Sequence, residues 1–110
     1  MIVLQAVPVP GRDAFRLLRG RIRGASTWAW SNKARTRLKH IQRPDGGYIA
    51  IANANGVLVA HVHPKTPSDQ FYLAEKFTGR LVAWFESDLV AINIQLFPEP
   101  VKPKRRRRRS

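Results

Sequence analysis

The sequence predicts an α+β domain in which an antiparallel sheet of about four strands is packed on one face by helices. Three observations support this fold class. Hydrophobic residues make up 44% of the 110 residues, which is enough for a packed core. An Asn55-Gly56 turn joins two apolar strand-like stretches, and a capped amphipathic segment follows them. We expect one domain over residues 1–97 and a disordered Arg-rich tail over residues 98–110.

The first third of the chain is predicted to contain one strand and two helices. Residues 2–9 are an apolar run closed by prolines, which suits a strand at the edge or end of a sheet. Asp13 can cap a short helix over residues 14–19 that stops at Gly20, although the alternating arginines nearby also allow a strand. A second helix is expected from the Ser26-Thr27 pair to about residue 41. Its apolar side would carry Trp30, Ala34, Leu38 and Ile41.

The middle of the chain is predicted to form a β-hairpin. A two-residue Asn55-Gly56 loop pairs residues 48–53 with residues 57–63 and sets Ala54 opposite Val57. Because side chains alternate along a strand, one face of this hairpin is apolar and belongs to the core. The opposite face is small, aromatic and polar, and it carries Tyr48, Ala50, Ala52, Val59, His61 and His63.

A long amphipathic helix is predicted after the hairpin. Thr66 suits the N-cap and Pro67 the first helical position, and the helix is expected to run to about Glu86. The helical spacing places Leu73, Phe77, Leu81 and Trp84 on the main apolar stripe. Phe71, Val82 and Phe85 form a second apolar patch, for which self-association and simple burial are both open.

Residues 89–97 are predicted to form the last strand. Alternation places Val90, Ile92, Ile94 and Leu96 toward the core. The other side is polar with one aromatic ring, and it carries Ala91, Asn93, Gln95 and Phe97.

Positive charge is concentrated in two blocks of the sequence. The chain has 20 Lys and Arg residues against 7 Asp and Glu, for a formal net charge of +13. Counted along the chain, residues 12–43 carry +9 and residues 98–110 carry +6, whereas residues 44–97 carry −2. Blocks of this kind are typical of a surface that binds a polyanion. Aromatic residues lie among the cations, and flat rings stack on unpaired bases.

These features predict a sequence-tolerant binder of single-stranded nucleic acid, DNA or RNA, that acts as a homo-oligomer (dimer or tetramer) in the cytoplasm, associated with the nucleoid. Single strands are favoured over duplex because the sequence contains no helix-turn-helix, zinc finger or basic zipper. We expect no enzymatic activity and no cofactor, since nucleotide-binding glycine motifs, a nucleophile elbow and cysteines are all missing. No apolar run approaches the ~20 residues of a membrane span, so no membrane partner is expected. The residues expected to contact nucleic acid are Arg19, Arg21, Arg23, Trp28, Trp30, Lys33, Arg35, Arg37, Lys39, Tyr48, His61, His63, Phe97, Arg105, Arg106 and Arg107.

His61 and His63 lead to an alternative function. Strand alternation puts both imidazoles on one side, which is one way to deliver two metal ligands. A third ligand is missing nearby, so we expect no metal site. A metal-independent ribonuclease that uses the two imidazoles as acid and base remains open. A ribosome-associated or structured-RNA-binding protein also fits the composition, and residues 102–109 fit a nuclear import signal equally well.

Several segments of the chain together resemble a known family. They are residues 47–52, 57–64 and 71–77 and the strand over residues 88–96. With them, residues 1–97 resemble the archaeal ThermoDBP-related proteins, single-stranded DNA-binding proteins that do not have an OB fold. The resemblance implies a helix-backed antiparallel sheet, apolar and aromatic base-binding surfaces and homo-oligomers. It assigns no individual site residue and does not extend to the arginine tail.

Overall fold

The computed structural model describes residues 1–98 and contains one six-stranded sheet and two helices. All neighbouring strands are antiparallel, in the order β2-β3-β4-β5-β1-β6. The α+β class is confirmed, but the sheet has six strands where about four were expected. The predicted tail beyond Pro98 lies outside the described residues. The elements are β1 Ile2–Pro8, α1 Ala14–Ile22, β2 Trp28–Trp30, β3 Arg37–His40, β4 Gly47–Ala54, β5 Val57–Pro64, α2 Pro67–Phe85 and β6 Leu89–Leu96.

Both helices pack on the same face of the sheet. The apolar side of α1, with Leu18, and that of α2, with Phe77, meet a layer of strand residues that includes Leu4, Ile49 and Leu58. Burying such side chains stabilises the fold by about 1.5–3 kcal/mol each. The opposite face carries no helix among residues 1–98, and we call it the open face.

The predicted second helix is wrong, because residues 28–40 form the β2–β3 hairpin. Trp28 pairs with His40 and Trp30 with Leu38. Asn32 holds the connecting turn, since its Oδ1 accepts the backbone N–H groups of Thr36 and Arg37, both at 3.0 Å. Arg35 has a φ of 57°, which a helix does not allow. Local side-chain bonds of this kind compete with helical hydrogen bonding.

Helix α1 starts as predicted but ends later. Asp13 caps it, because its Oδ1 accepts the Arg16 N–H at 3.0 Å. The helix continues through Gly20 to Ile22, because Ala14, Leu18 and Ile22 recur every four residues and are all buried. The alternative strand over the alternating arginines is therefore wrong.

The predicted β4–β5 hairpin is confirmed residue by residue. Ala54 lies opposite Val57, and the pairing continues to Tyr48 opposite His63. Asn55 and Gly56 have φ values of 53° and 90°, as a mirror-image two-residue turn requires. At the far end of β4, Gly47 has a φ of 104°, and a Cβ there would lie 2.1 Å from the His63 carbonyl oxygen. Gly47 therefore allows the strands to meet where Tyr48 and His63 are placed.

Helix α2 begins at the predicted cap. Thr66 and Asp69 form a capping box, and Arg43 Nη1 lies 3.1 Å from Asp69 Oδ1. The hydrogen bond from the Thr66 hydroxyl, assisted by the Arg43 charge, lowers the pKa of the Asp69 carboxyl. The helix buries Leu73, Phe77, Leu81 and Phe85, whereas Trp84 is half-buried and Phe71 and Val82 are exposed. The predicted second patch is thus divided between core and surface.

Strand β6 is an edge strand, and only part of it is covered. Ile92 packs against the core, as predicted. Val90, Ile94 and Leu96 are exposed, contrary to prediction, because β6 is the outermost strand and α1 and α2 pack chiefly over β1, β4 and β5. An alternating pattern thus indicates which face a residue shares, but not whether anything covers that face.

His40 is a buried titratable group on the helix side of β3. Its Nδ1 accepts the Gln42 N–H at 3.3 Å, so the neutral ring carries its proton on Nε2. Trp28 and Tyr72 contact the ring edge-on, with centroids 4.9 and 5.0 Å away. Burial lowers the pKa of His40, and the positive charges of Lys76 and Arg43 lower it further.

We predict that the free energy of unfolding falls as the pH drops below about 6.5. The unfolded chain takes up a proton on His40 that the folded protein resists, so stability is lost until the pH passes below the lowered folded-state pKa. Urea unfolding at several pH values measures this slope. His40→Gln should reduce it, and an unchanged slope would show that the loss arises elsewhere.

Gly79 and Gly47 differ in what their backbone positions require. Gly79→Ala should stabilise the protein by about 0.5–1 kcal/mol, since this α2 residue has open space around it and alanine favours a helix. Gly47→Ala should cost more than about 2 kcal/mol, because of the positive φ and the clash with β5. Thermal unfolding of both variants measures the difference, and equal stabilities would contradict it.

Candidate nucleic-acid interface

Strand register aligns side chains in rows across the open face. Tyr48 lies opposite His63, and the β3–β4 register continues to place Lys39 beside Tyr48. On the other side of β5, the β1 pairing continues to place Met1 beside His63. Met1 and Phe97 exchange two backbone hydrogen bonds of 2.7 Å, so Phe97 ends the same line. We call this line the aromatic row; its members are Lys39, Tyr48, His63, Met1 and Phe97.

A second row lies immediately beside the aromatic row. Arg37 is opposite Ala50, Ala50 is opposite His61, and His61 is opposite Val3, which faces Gln95 on β6. Small Ala50 in the middle of this row leaves room above the sheet. The following rows are mostly small or apolar, with Ala52, Val59, Ala54, Val57 and Ala91. Cations and rings are therefore gathered at one end of the open face.

Tyr48 is packed between two side chains from neighbouring strands. Its ring stacks on His63 with centroids 4.8 Å apart and an interplanar angle of 17°. The Arg37 guanidinium lies 4.7 Å from the Tyr48 centroid and comes from β3, on the other side of β4. Tyr48 was expected to face bases, but its ring already has partners within the protein. His63 is exposed, so it offers the accessible end of this Arg37–Tyr48–His63 stack.

The His63 imidazole favours its neutral form. Partial burial lowers its pKa, and the nearby charges of His61 and Arg37 lower it further. At neutral pH the ring is therefore an uncharged aromatic surface, while Arg37, Lys39 and Lys65 supply the charge around it. The accessible ring and the positive charges of this site are thus carried by different residues.

An open cleft of about 560 Å³ lies at the aromatic row. Tyr48 and His63 form part of its lining, Lys39 and Lys65 add two ammonium groups, and Asp45 is the acid beside them. Lys65 was missing from the predicted site residues. Its position two residues after His63, just beyond a strand end, is the sequence signal that could have identified it.

The two predicted tryptophans do not lie on the open face. Trp28 is only 1% exposed and packs edge-on against Phe77, with centroids 5.6 Å apart. Trp30 points to the same side of the sheet and packs partly against the core. Trp28 therefore offers no surface to a base, and Trp30 lies away from the open face, because both residues were expected on a helix but occupy the inward side of a strand.

The cations of residues 12–43 are divided between two sides of the molecule. Arg19, Arg21 and Arg23 belong to α1 or its C-cap, on the helix side. The Arg21 guanidinium lies 4.9 Å from the Trp84 ring centroid. Lys33 and Arg35 lie in the β2–β3 turn, and only Arg37 and Lys39 of this block lie on the open face. The predicted residues Arg105, Arg106 and Arg107 lie outside the described residues.

Phe97 lies at the far end of the aromatic row and is 51% exposed. Two strand spacings separate it from His63, or about 10 Å. That distance exceeds the thickness of an aromatic ring, so His63 and Phe97 offer two separate ring surfaces on the open face.

Among residues 1–98, no three His, Asp or Glu side chains come together as a metal site would require. No helix in this part of the chain is long and apolar enough to cross a membrane. Comparison of the chain with protein families, with curated proteins and with solved structures found no match.

Proposed function

We propose that the protein binds single-stranded nucleic acid on the open face, without strong sequence preference. The observation that carries this proposal is the Arg37–Tyr48–His63 stack beside Lys39 and Lys65 on a face that no helix of residues 1–98 covers. Cations attract any phosphate backbone, and an aromatic ring stacks on any base. The resemblance to the ThermoDBP-related proteins agrees with this proposal.

In this binding mode, the phosphates lie along Lys39, Lys65 and Arg37. A base stacks on the exposed side of His63, and a second base can reach Phe97. Bases of a duplex are already stacked on one another and are closed to a side-chain ring, so unpaired strands are preferred. The 20 Lys and Arg residues of the full chain add attraction at long range. With this function, the protein would act in the cytoplasm on exposed single strands.

The salt dependence of binding tests whether Lys39 and Lys65 contact phosphates. In the full chain, Lys39→Gln with Lys65→Gln should weaken binding to a fluorescent dT oligomer. The slope of log K against log salt is negative, and it should become shallower by about 0.7 for each lost phosphate contact, or about 1.4 for two. Fluorescence anisotropy at four salt concentrations measures both quantities.

The matched control removes the same charge from α1, as Arg16→Gln with Arg23→Gln. Both arginines are exposed on the helix side. This variant should keep the wild-type slope. If both double variants reduce the slope equally, the nucleic acid responds to net charge and the open face is not its site.

Substitutions at His63 test whether bases stack on its ring. His63→Ala should cost about 1–3 kcal/mol of binding free energy, with similar losses for dT and dA oligomers, because every base has a stacking surface. His63→Phe should keep most of the affinity. Phe71→Ala is the control, since Phe71 is an exposed ring on α2. Full affinity in His63→Ala would remove this residue from the interface.

A metal-independent ribonuclease is the second candidate function. The observation in its favour is that His61 and His63 lie on the same face in adjacent rows, close enough for one to affect the pKa of the other. Labelled RNA incubated with the full chain and a chelator distinguishes the two functions. Retained but intact RNA supports binding, whereas cleavage that is lost in His61→Ala supports catalysis.

Competition among poly(dT), single-stranded RNA and duplex at fixed salt identifies the preferred ligand. A preference for duplex RNA would favour a structured RNA as the ligand.

A further inference from the structure

The outer edge of β6 is a long strand edge without charge. Its outer side has no neighbour among the described residues. Residues 89–97 contain no Lys, Arg, Asp, Glu or Pro, although 25% of the chain is charged. Edge strands are usually protected by charges, prolines or short length. The opposite edge follows this rule, since β2 has only three residues, whereas β6 has eight.

The backbone of β6 presents hydrogen-bonding groups outward at defined residues. Met1 and Phe97 exchange both backbone hydrogen bonds, so the N–H and C=O of Phe97 point toward β1. In an antiparallel pair this direction alternates, so Gln95 and Asn93 also point toward β1. Ile94 and its neighbours Ile92 and Leu96 therefore present their N–H and C=O groups to the free edge.

We propose that β6 pairs antiparallel with β6 of a second copy of this chain, about a two-fold axis at Asn93. In this register Asn93 lies opposite the partner's Asn93, and Ile92 lies opposite the partner's Ile94. The outward groups of Ile92 and Ile94 then form hydrogen-bonded pairs with those of the partner. The exposed Ile94 side chain gains an apolar neighbour on the helix side of the sheet.

Charge favours a second copy in this orientation. The edge itself is neutral, so two cationic molecules can approach there with the least repulsion. Residues 98–110, which carry +6, follow directly after this strand. Parallel pairing would bring the two cationic segments together. Antiparallel pairing separates their starting points by about ten residues, or ~34 Å, beyond the ~8 Å screening length at physiological salt.

The two-fold axis is perpendicular to the sheet, so both open faces lie on the same side of the dimer. The result is a continuous sheet of twice the width, with the two aromatic rows at opposite ends of the β6–β6 contact. The dimer does not rest on the proposed function, although it would double the surface available to a single strand.

Single-cysteine variants test the contact and its register. The chain has no cysteine, so an introduced thiol reports only on its own position. Asn93→Cys places two Cα atoms about 4.5 Å apart, within disulfide range. Gln95→Cys is the matched control on the same strand and face, and its partner's equivalent lies ~14 Å away, beyond that range. Mild oxidation without nucleic acid should link Asn93→Cys alone, and a mixture of Ala91→Cys with Gln95→Cys should form the cross-linked pair.

Sedimentation equilibrium, also without nucleic acid, tests the same contact in the absence of cross-linking. Wild type should have twice the mass of the 12.5-kDa chain. Ile94 is 49% exposed in the single chain, and Ile94→Lys should sediment as a monomer that circular dichroism shows to be folded. Phe71 is 68% exposed on α2, and Phe71→Lys should remain a dimer. Cross-linking of both or neither of Asn93→Cys and Gln95→Cys, a monomeric wild type, or dissociation only in Phe71→Lys would overturn the proposal.

Discussion

The pairing of β4 with β5 is the constraint on which the rest of the structure depends. The Asn55-Gly56 turn sets one register, and a shift of one residue would exchange the two faces of both strands. In the observed register, Ile49, Ile51 and Leu58 meet the helices. The same register leaves Tyr48, His61 and His63 on the open face. Core and candidate site are therefore two consequences of one pairing.

The candidate site is small compared with the total charge of the protein. Most cations of residues 12–43 lie on the helix side or in a turn, where Arg21 already packs on Trp84. What distinguishes the open face is the combination of charge with rings on a flat, sterically open surface. Total charge accounts for attraction to any polyanion, whereas this end of the sheet combines Lys39 and Lys65 with an accessible ring. This local combination makes the site specific enough to test.

The two edges of the sheet have different physical characters. At one edge, the short β2 is held by the Asn32 hydrogen bonds and followed by a cationic turn. At the other edge, β6 is long and neutral, and it leaves Ile94 and Leu96 without cover. Apolar side chains beside unpaired backbone groups are stabilised when another strand completes the sheet. Association through β6 would cover the apolar side chains and pair the backbone groups of this edge without using the open face.

Local signals in the sequence determined the β4–β5 register and the caps at Asp13 and Thr66, because each depends on residues only a few positions apart. The side on which Tyr48, His61 and His63 lie followed from that register. Only the tertiary structure decided that residues 28–40 form a β-hairpin and not a helix. Trp28 and Leu38 could lie on the apolar side of either structure. The packing of Trp28 against Phe77 and the pairing of Leu38 with β4 favour the hairpin. It also decided which cations reach the open face and that β6 lies beyond the helices. Those outcomes depend on strand order, which contacts between distant residues establish.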